Sequence, residues 1–146
     1  MWRSSVSGTR KGFTLVELAV VIVIIGVLAA FGVPRFLKSV ERTKASEAFA
    51  YLSAVRSAQE RYIAKDGVYA VDVSQLDIVQ AAPKNFVNPG AITSTPGTAA
   101  WSLTLKRNTS SSSYGEYTVT FSEGGFMDSS TITTVGSDIT PLAHGI

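Results

Sequence analysis

The sequence predicts an α+β fold in which one long N-terminal α-helix, membrane-spanning in its first half and amphipathic in its second, packs on a small antiparallel β-sheet head. Three observations carry this. Phe13–Val33 is a run of 21 residues with a single charge, Glu17. Apolar side chains then recur at three- and four-residue intervals as far as Ile63. Beyond Trp101 the pattern changes to alternation, the period of a half-buried strand.

Composition narrows the function. With 146 residues, 45% hydrophobic and 16% charged, the chain has too many apolar groups and too few charges for a disordered tail. It has no cysteine and one histidine, His144, which leaves no thiol chemistry, disulfide or multi-histidine metal site. Of the 13 basic residues, Arg3, Arg10 and Lys11 fall in the first eleven, and the other 10 face 11 acidic ones. A basic face for nucleic acid is not expected. No nucleophile–base set, phosphate-binding glycine loop or pair of pocketed acids is present, so an enzyme and a resident cofactor are not expected either.

As a helix, Phe13–Val33 spans ~30 Å, the hydrocarbon thickness of a bilayer. The chain is therefore read as crossing a membrane once for at least part of its life. One reading of the segment is a secretory signal peptide, with a basic start and small residues Ala30 and Gly32 placed for cleavage after Gly32. Its length and its early carboxylate argue against that. A second reading is a plain membrane anchor, and charge does not orient it: Arg35, Lys38, Arg42 and Lys44 outnumber the three leader cations.

A third reading comes from the order of the residues. Lys11-Gly12-Phe13-Thr14-Leu15-Val16-Glu17, followed by the apolar run to Gly26, resembles the N-terminus of type IV pilins and pseudopilins. The resemblance is specific over Arg10–Pro34. It implies a leader, residues 1–12, removed by a prepilin peptidase and methyltransferase that cuts between Gly12 and Phe13 and N-methylates Phe13. It also implies polymerisation with copies of itself and other pilins, on an inner-membrane assembly platform and out of membrane lipid. The product is an extracytoplasmic filament, either a surface pilus or a secretion pseudopilus. The competing class is a monomeric anchored or secreted binding module with a small β-sheet head.

Physical reasoning supports parts of this independently. Gly12 lacks a side chain and gives a peptidase close backbone access, while Arg10 and Lys11 hold the site at the headgroups. Glu17, about one turn into the hydrocarbon, costs on the order of 2–3 kcal/mol and so needs a partner. No cation lies three or four residues away on its own helix. The amine freed at Phe13 is the natural candidate, within one chain or, as the resemblance implies, between neighbours. The plainer alternative is a glutamate snorkelling to the headgroups.

Residues 13–34 form the membrane and polymerisation half of the helix and 35–66 its amphipathic half. The apolar stripe runs through Phe36, Leu37, Val40, Ala45, Ala48, Phe49, Leu52, Val55, Ala58, Tyr62 and Ile63. Lys38, Glu41, Arg42, Glu47, Arg56, Glu60 and Arg61 are assigned to the polar face, with Arg56–Glu60 as an ion pair. Lys65-Asp66-Gly67 supplies a basic last turn and a left-handed glycine cap. If unbroken, Phe13–Lys65 is a helix of ~80 Å. Its weak section is Gly26, Gly32 and Pro34, where glycine costs about 1 kcal/mol and interior proline ~3 kcal/mol. The hydrocarbon holds this section helical; the resemblance implies that part of Gly26–Pro34 unwinds in a packed filament and lengthens the subunit.

Residues 67–146 form the head. Val68–Thr98, with Pro83, Pro89 and Pro96, reads as a connection with at most a short helix near Val73–Ala81. Trp101–Lys106 and Tyr117–Phe121 read as two antiparallel strands joined across Arg107–Gly115, and Ser129–Val135 as a third. Asn108–Ser113 is a solvated polar loop. Asp128 and Asp138 are too few for a calcium site, which takes six or more oxygens. Many members of the resembled family close this end with a cysteine pair that is absent here.

Overall fold

The computed structural model describes residues 12–87, 91–94, 100–112 and 114–142. Leader residues Met1–Lys11, Pro89, Pro96, Ser113 and His144 lie outside the described residues. The chain divides into two compact units, Met1–Phe36 and Leu37–Ile146. One helix, α1 (Leu15–Asp66), contributes to both and contains Pro34.

In the first unit, no residue from Gly12 to Phe36 is buried. This part of α1 is long and apolar enough to cross a membrane. In the second unit, α1 buries Ala45, Ala48, Phe49, Leu52, Val55 and Ala58, as the three–four spacing predicts. Phe36 and Leu37, at the start of the same expected stripe, remain exposed. The helix stops where Gly67 turns to φ +77°, donating its amide to the Ile63 carbonyl at 2.9 Å. A left-handed glycine at that position is the expected stop.

The sheet is antiparallel throughout. β3 (Trp101–Arg107) is its centre, paired with β4 (Thr118–Ser122) in the register Leu103–Phe121 and Leu105–Val119. On its other edge β3 carries two short strands, β1 (Phe86–Val87) at Arg107 and β2 (Thr93–Ser94) at Trp101. β5 (Gly125–Phe126) closes a hairpin on β4. The inward set Trp101, Leu103, Leu105, Tyr117, Val119 and Phe121 is buried in one core with the α1 stripe, and Phe49 stands edge-on to Phe121 at 5.6 Å.

Several expectations change. Ser129–Val135 is not a strand: it turns through Ser130 and Thr131 into a short helix, α2 (Ile132–Val135). The hydroxyls of Thr133 and Thr134 donate to the carbonyls of Ser130 and Thr131, and such local bonds favour a turn over a ladder. The helix near Val73–Ala81 shrinks to one 3₁₀ turn, Val73–Gln75, capped by Asp72 and Gln75. The connection itself supplies β1 and β2, and it is pinned to α1 by the buried Gln59, whose amide bonds both the N–H and the carbonyl of Ala70. Arg56 does not pair with Glu60; its Nε donates to the Glu123 carbonyl at 2.9 Å. Glu41 leaves the polar face altogether and is 3% exposed.

Candidate assembly site

The start of α1 is built by two side chains. Thr14 precedes the first helical residue and Glu17 is the third helical residue, the spacing of a capping box. The Thr14 amide and hydroxyl both donate to Glu17 Oε2, at 2.9 and 2.8 Å. In return the Glu17 amide donates to Thr14 Oγ1 at 3.2 Å. Two backbone donors that an α-helix leaves without intrahelical partners are thereby satisfied. The carboxylate also lies in the first turn, where the helix dipole favours negative charge. The partner of Glu17 on its own chain is thus a hydroxyl and an amide, not a cation three or four residues away. The signal that reveals it is threonine three residues before an acid at the head of an apolar run.

The structure thus brings Gly12, Phe13, Thr14 and Glu17 to one end of the apolar unit, with the Phe13 ring exposed. Gly26, Gly32 and Pro34 lie further along α1 and are also exposed. A Cβ added at Gly12, Gly26 or Gly32 would meet no atom within 4 Å. Packing among the described residues therefore does not demand glycine at any of the three.

The second unit has a polar centre that the sequence reading missed. Arg107, the last residue of β3, is fully buried and donates from Nε to Glu41 Oε1 at 2.7 Å and from Nη2 to Oε2 at 3.3 Å. Tyr117 donates its hydroxyl to the same Oε1 at 2.9 Å, and Lys44 Nζ stands 3.6 Å from Oε2. Arg107 Nη1 is used up by the carbonyls of Asn85 and Asn108, at 2.7 and 2.9 Å. Burial opposes ionisation of Glu41, but the hydrogen bonds from Arg107 and Tyr117 and the charges of Arg107 and Lys44 outweigh it and hold the carboxyl below its ordinary range. Burial and the Glu41 carboxylate push the Tyr117 hydroxyl up, so it stays a donor. Around one carboxylate the cluster joins α1, the end of β3 and Tyr117 just before β4, with Arg107 also holding Asn85 just before β1. Asp138 is likewise engaged, by Lys38 Nζ at 2.7 Å. Among the described residues, no group of three or more His, Cys, Asp or Glu side chains could hold a metal ion.

Residues 8–33 match the family model described as the prokaryotic N-terminal methylation motif. Over 115 residues the chain is 37% identical to the type IV narrow pilus major component PilA5 of Thermus thermophilus, covering 79% of this chain and 89% of that protein. The chain belongs to the type IV pilin family. This pilin is also 33% identical over 97 residues to the fimbrial protein EcpC of Eikenella corrodens. That match spans 66% of this chain and 63% of EcpC, just under two thirds of that relative's length. It is 35% identical over 76 residues to the type II secretion system core protein G of Vibrio cholerae, 52% of each chain. No solved structure matches it. The long N-terminal helix with a small antiparallel sheet is consistent with the pilin fold, and these relatives are named for filaments and secretion systems, not for catalysis.

Proposed function

We propose that this pilin is a structural subunit of a type IV pilus or a type II secretion-like pseudopilus, polymerising through its apolar helix once the leader is removed between Gly12 and Phe13. In this reading it waits in the inner membrane as a single-pass precursor. A prepilin peptidase and methyltransferase process it to N-methylated Phe13, and the assembly platform lifts it into an extracytoplasmic filament of copies of itself and other pilins. The observation that carries the reading is the unburied apolar surface of Gly12–Phe36 with one carboxylate at its head. Apolar side chains exposed over that length need lipid or neighbouring helices to cover them.

Within that reading Glu17 accepts the Phe13 amine of a neighbouring subunit. Its bonds within the subunit come from a threonine amide and hydroxyl, and among the described residues no cation pairs with it. Gly26, Gly32 and Pro34 form the section that gives way as helices pack, where no packing among the described residues requires glycine.

Two substitutions test this. Glu17→Ala removes both the charge and the cap, whereas Glu17→Gln keeps a residue competent for the capping box and removes only the charge. Breaking a buried ion pair costs ~3–5 kcal/mol, repeated at every subunit contact. Both variants should be processed and retained in the membrane yet form few or no filaments by electron microscopy. Filaments at wild-type levels from both would refute the pairing and leave Glu17 as a carboxylate snorkelling to the headgroups, whereas absence of filaments from the parent itself would favour a monomeric anchored module.

A further inference from the structure

The free edge of β4 is closed by side chains where a sheet would ordinarily place another strand. Pairing with β3 uses the edge of Val119 and Phe121, so the backbone groups of Thr118 and Thr120 point the other way. β5 covers only Phe121 and Ser122. The Thr118 amide donates to Thr131 Oγ1 at 2.8 Å, and the Thr120 amide to Ser130 Oγ at 2.9 Å. The Thr120 carbonyl accepts the Met127 amide at 2.9 Å. The clasp is reciprocal, because the Thr131 amide donates to Thr118 Oγ1 at 3.2 Å. Ser130 is itself 1% exposed and fixed by donating to the Met127 carbonyl at 2.6 Å.

We propose that Ser130 and Thr131 are an edge guard: their hydroxyls occupy the outward amides of Thr118 and Thr120 and so keep β4 from pairing with β4 of a second copy of this chain. The sequence of β4 makes that copy the fitting occupant. Thr118-Val119-Thr120-Phe121-Ser122 is uncharged, rich in β-branched and aromatic residues, and free of proline and glycine, the composition of a self-pairing strand. An antiparallel pair made by one strand with itself is self-complementary about a two-fold axis, so one surface supplies both halves. The guard lets subunits be brought together at high local density while their heads remain separate folded bodies.

The test uses the full chain in detergent, with Thr131→Val, Ser130→Ala and the double variant beside the parent, so that association through the apolar helix is common to all. At low protein concentration the Thr118 amide in Thr131→Val, and the Thr120 amide in Ser130→Ala, should exchange with solvent about tenfold faster, the change expected on losing one hydrogen bond of ordinary strength. The Val119 and Phe121 amides, on the β3 side, should keep their protection. Raising the concentration should make the double variant associate beyond the parent, with an infrared band of intermolecular strands and renewed protection at Thr118. Thr131→Ser, which keeps the hydroxyl, should behave as the parent. Association no greater than the parent's, or loss of protection across all of β4, would overturn the proposal by reducing the clasp to an ordinary fold contact.

Discussion

Replacing Glu41 is the most telling perturbation of the head. Glu41→Ala takes the bonded carboxylate away from the Arg107 guanidinium, whose side chain is 0% exposed, and the acceptor away from the Tyr117 hydroxyl. The carbonyls of Asn85 and Asn108 still accept from Arg107 Nη1, but they supply no net charge. Removing one partner of a buried ion pair costs ~3–5 kcal/mol. At ~4 °C per kcal/mol for a domain of this size, the melting temperature should fall by at least ~12 °C. Thermal unfolding of the detergent-solubilised chain, followed by near-ultraviolet circular dichroism, measures it. Removing the whole cluster at once should cost much less: Glu41→Leu, Arg107→Met and Tyr117→Phe together leave no stranded charge, so the triple variant should melt well above Glu41→Ala. A Glu41→Ala chain melting within ~4 °C of the parent, about 1 kcal/mol by the same scaling, would refute the claim that Arg107 depends on this carboxylate.

Two further outcomes follow from the same geometry. The Glu41 carboxyl is held below its ordinary range in the folded head, so it contributes stability that is complete above its unfolded value and is lost as pH falls through the folded value. Acid titration of the melting temperature should therefore show a loss that Glu41→Gln, destabilised but flatter with pH, lacks. Asp72 and Asp77 are lowered in the same sense and remain in both proteins, so only the difference between the two curves reports on Glu41. Removing residues 1–36 should leave a soluble, cooperatively melting head, because the core stripe of α1 begins at Ala45. Removing residues 1–66 should expose the sheet's apolar face and cause aggregation; a soluble, cooperatively melting monomer from that truncation would show that the sheet does not need the helix.

Legibility in the sequence followed the range of the interactions. The Gly67 cap and the alternation in Trp101–Leu105 and Tyr117–Phe121 are local patterns, and each was readable from a few residues. Glu41 was misplaced for an instructive reason. It precedes Ala45 by four, Ala48 by seven and Leu52 by eleven, so spacing alone puts it on the buried stripe, but its charge assigned it to the polar face. Its partner Arg107 lies 66 residues away, beyond any local pattern. Ser129–Val135 failed in another way. Its hydroxyls satisfy the β4 edge as a strand's backbone would, so the segment does the job of a strand without being one. At Glu17 the need for a partner is legible from the charge in an apolar run, but the partner within the chain is the Thr14 hydroxyl and amide, a neutral group that charge counting does not reveal.

The central claim is that the apolar helix is kept and used for polymerisation, which requires cleavage ahead of it. Intact-mass and N-terminal peptide spectrometry of the protein purified from the membranes of producing cells tests this most directly. The expected result is a chain that begins with N-methylated Phe13 and retains Leu15–Val33. A mature terminus at Val33, or an unprocessed Met1, would contradict it.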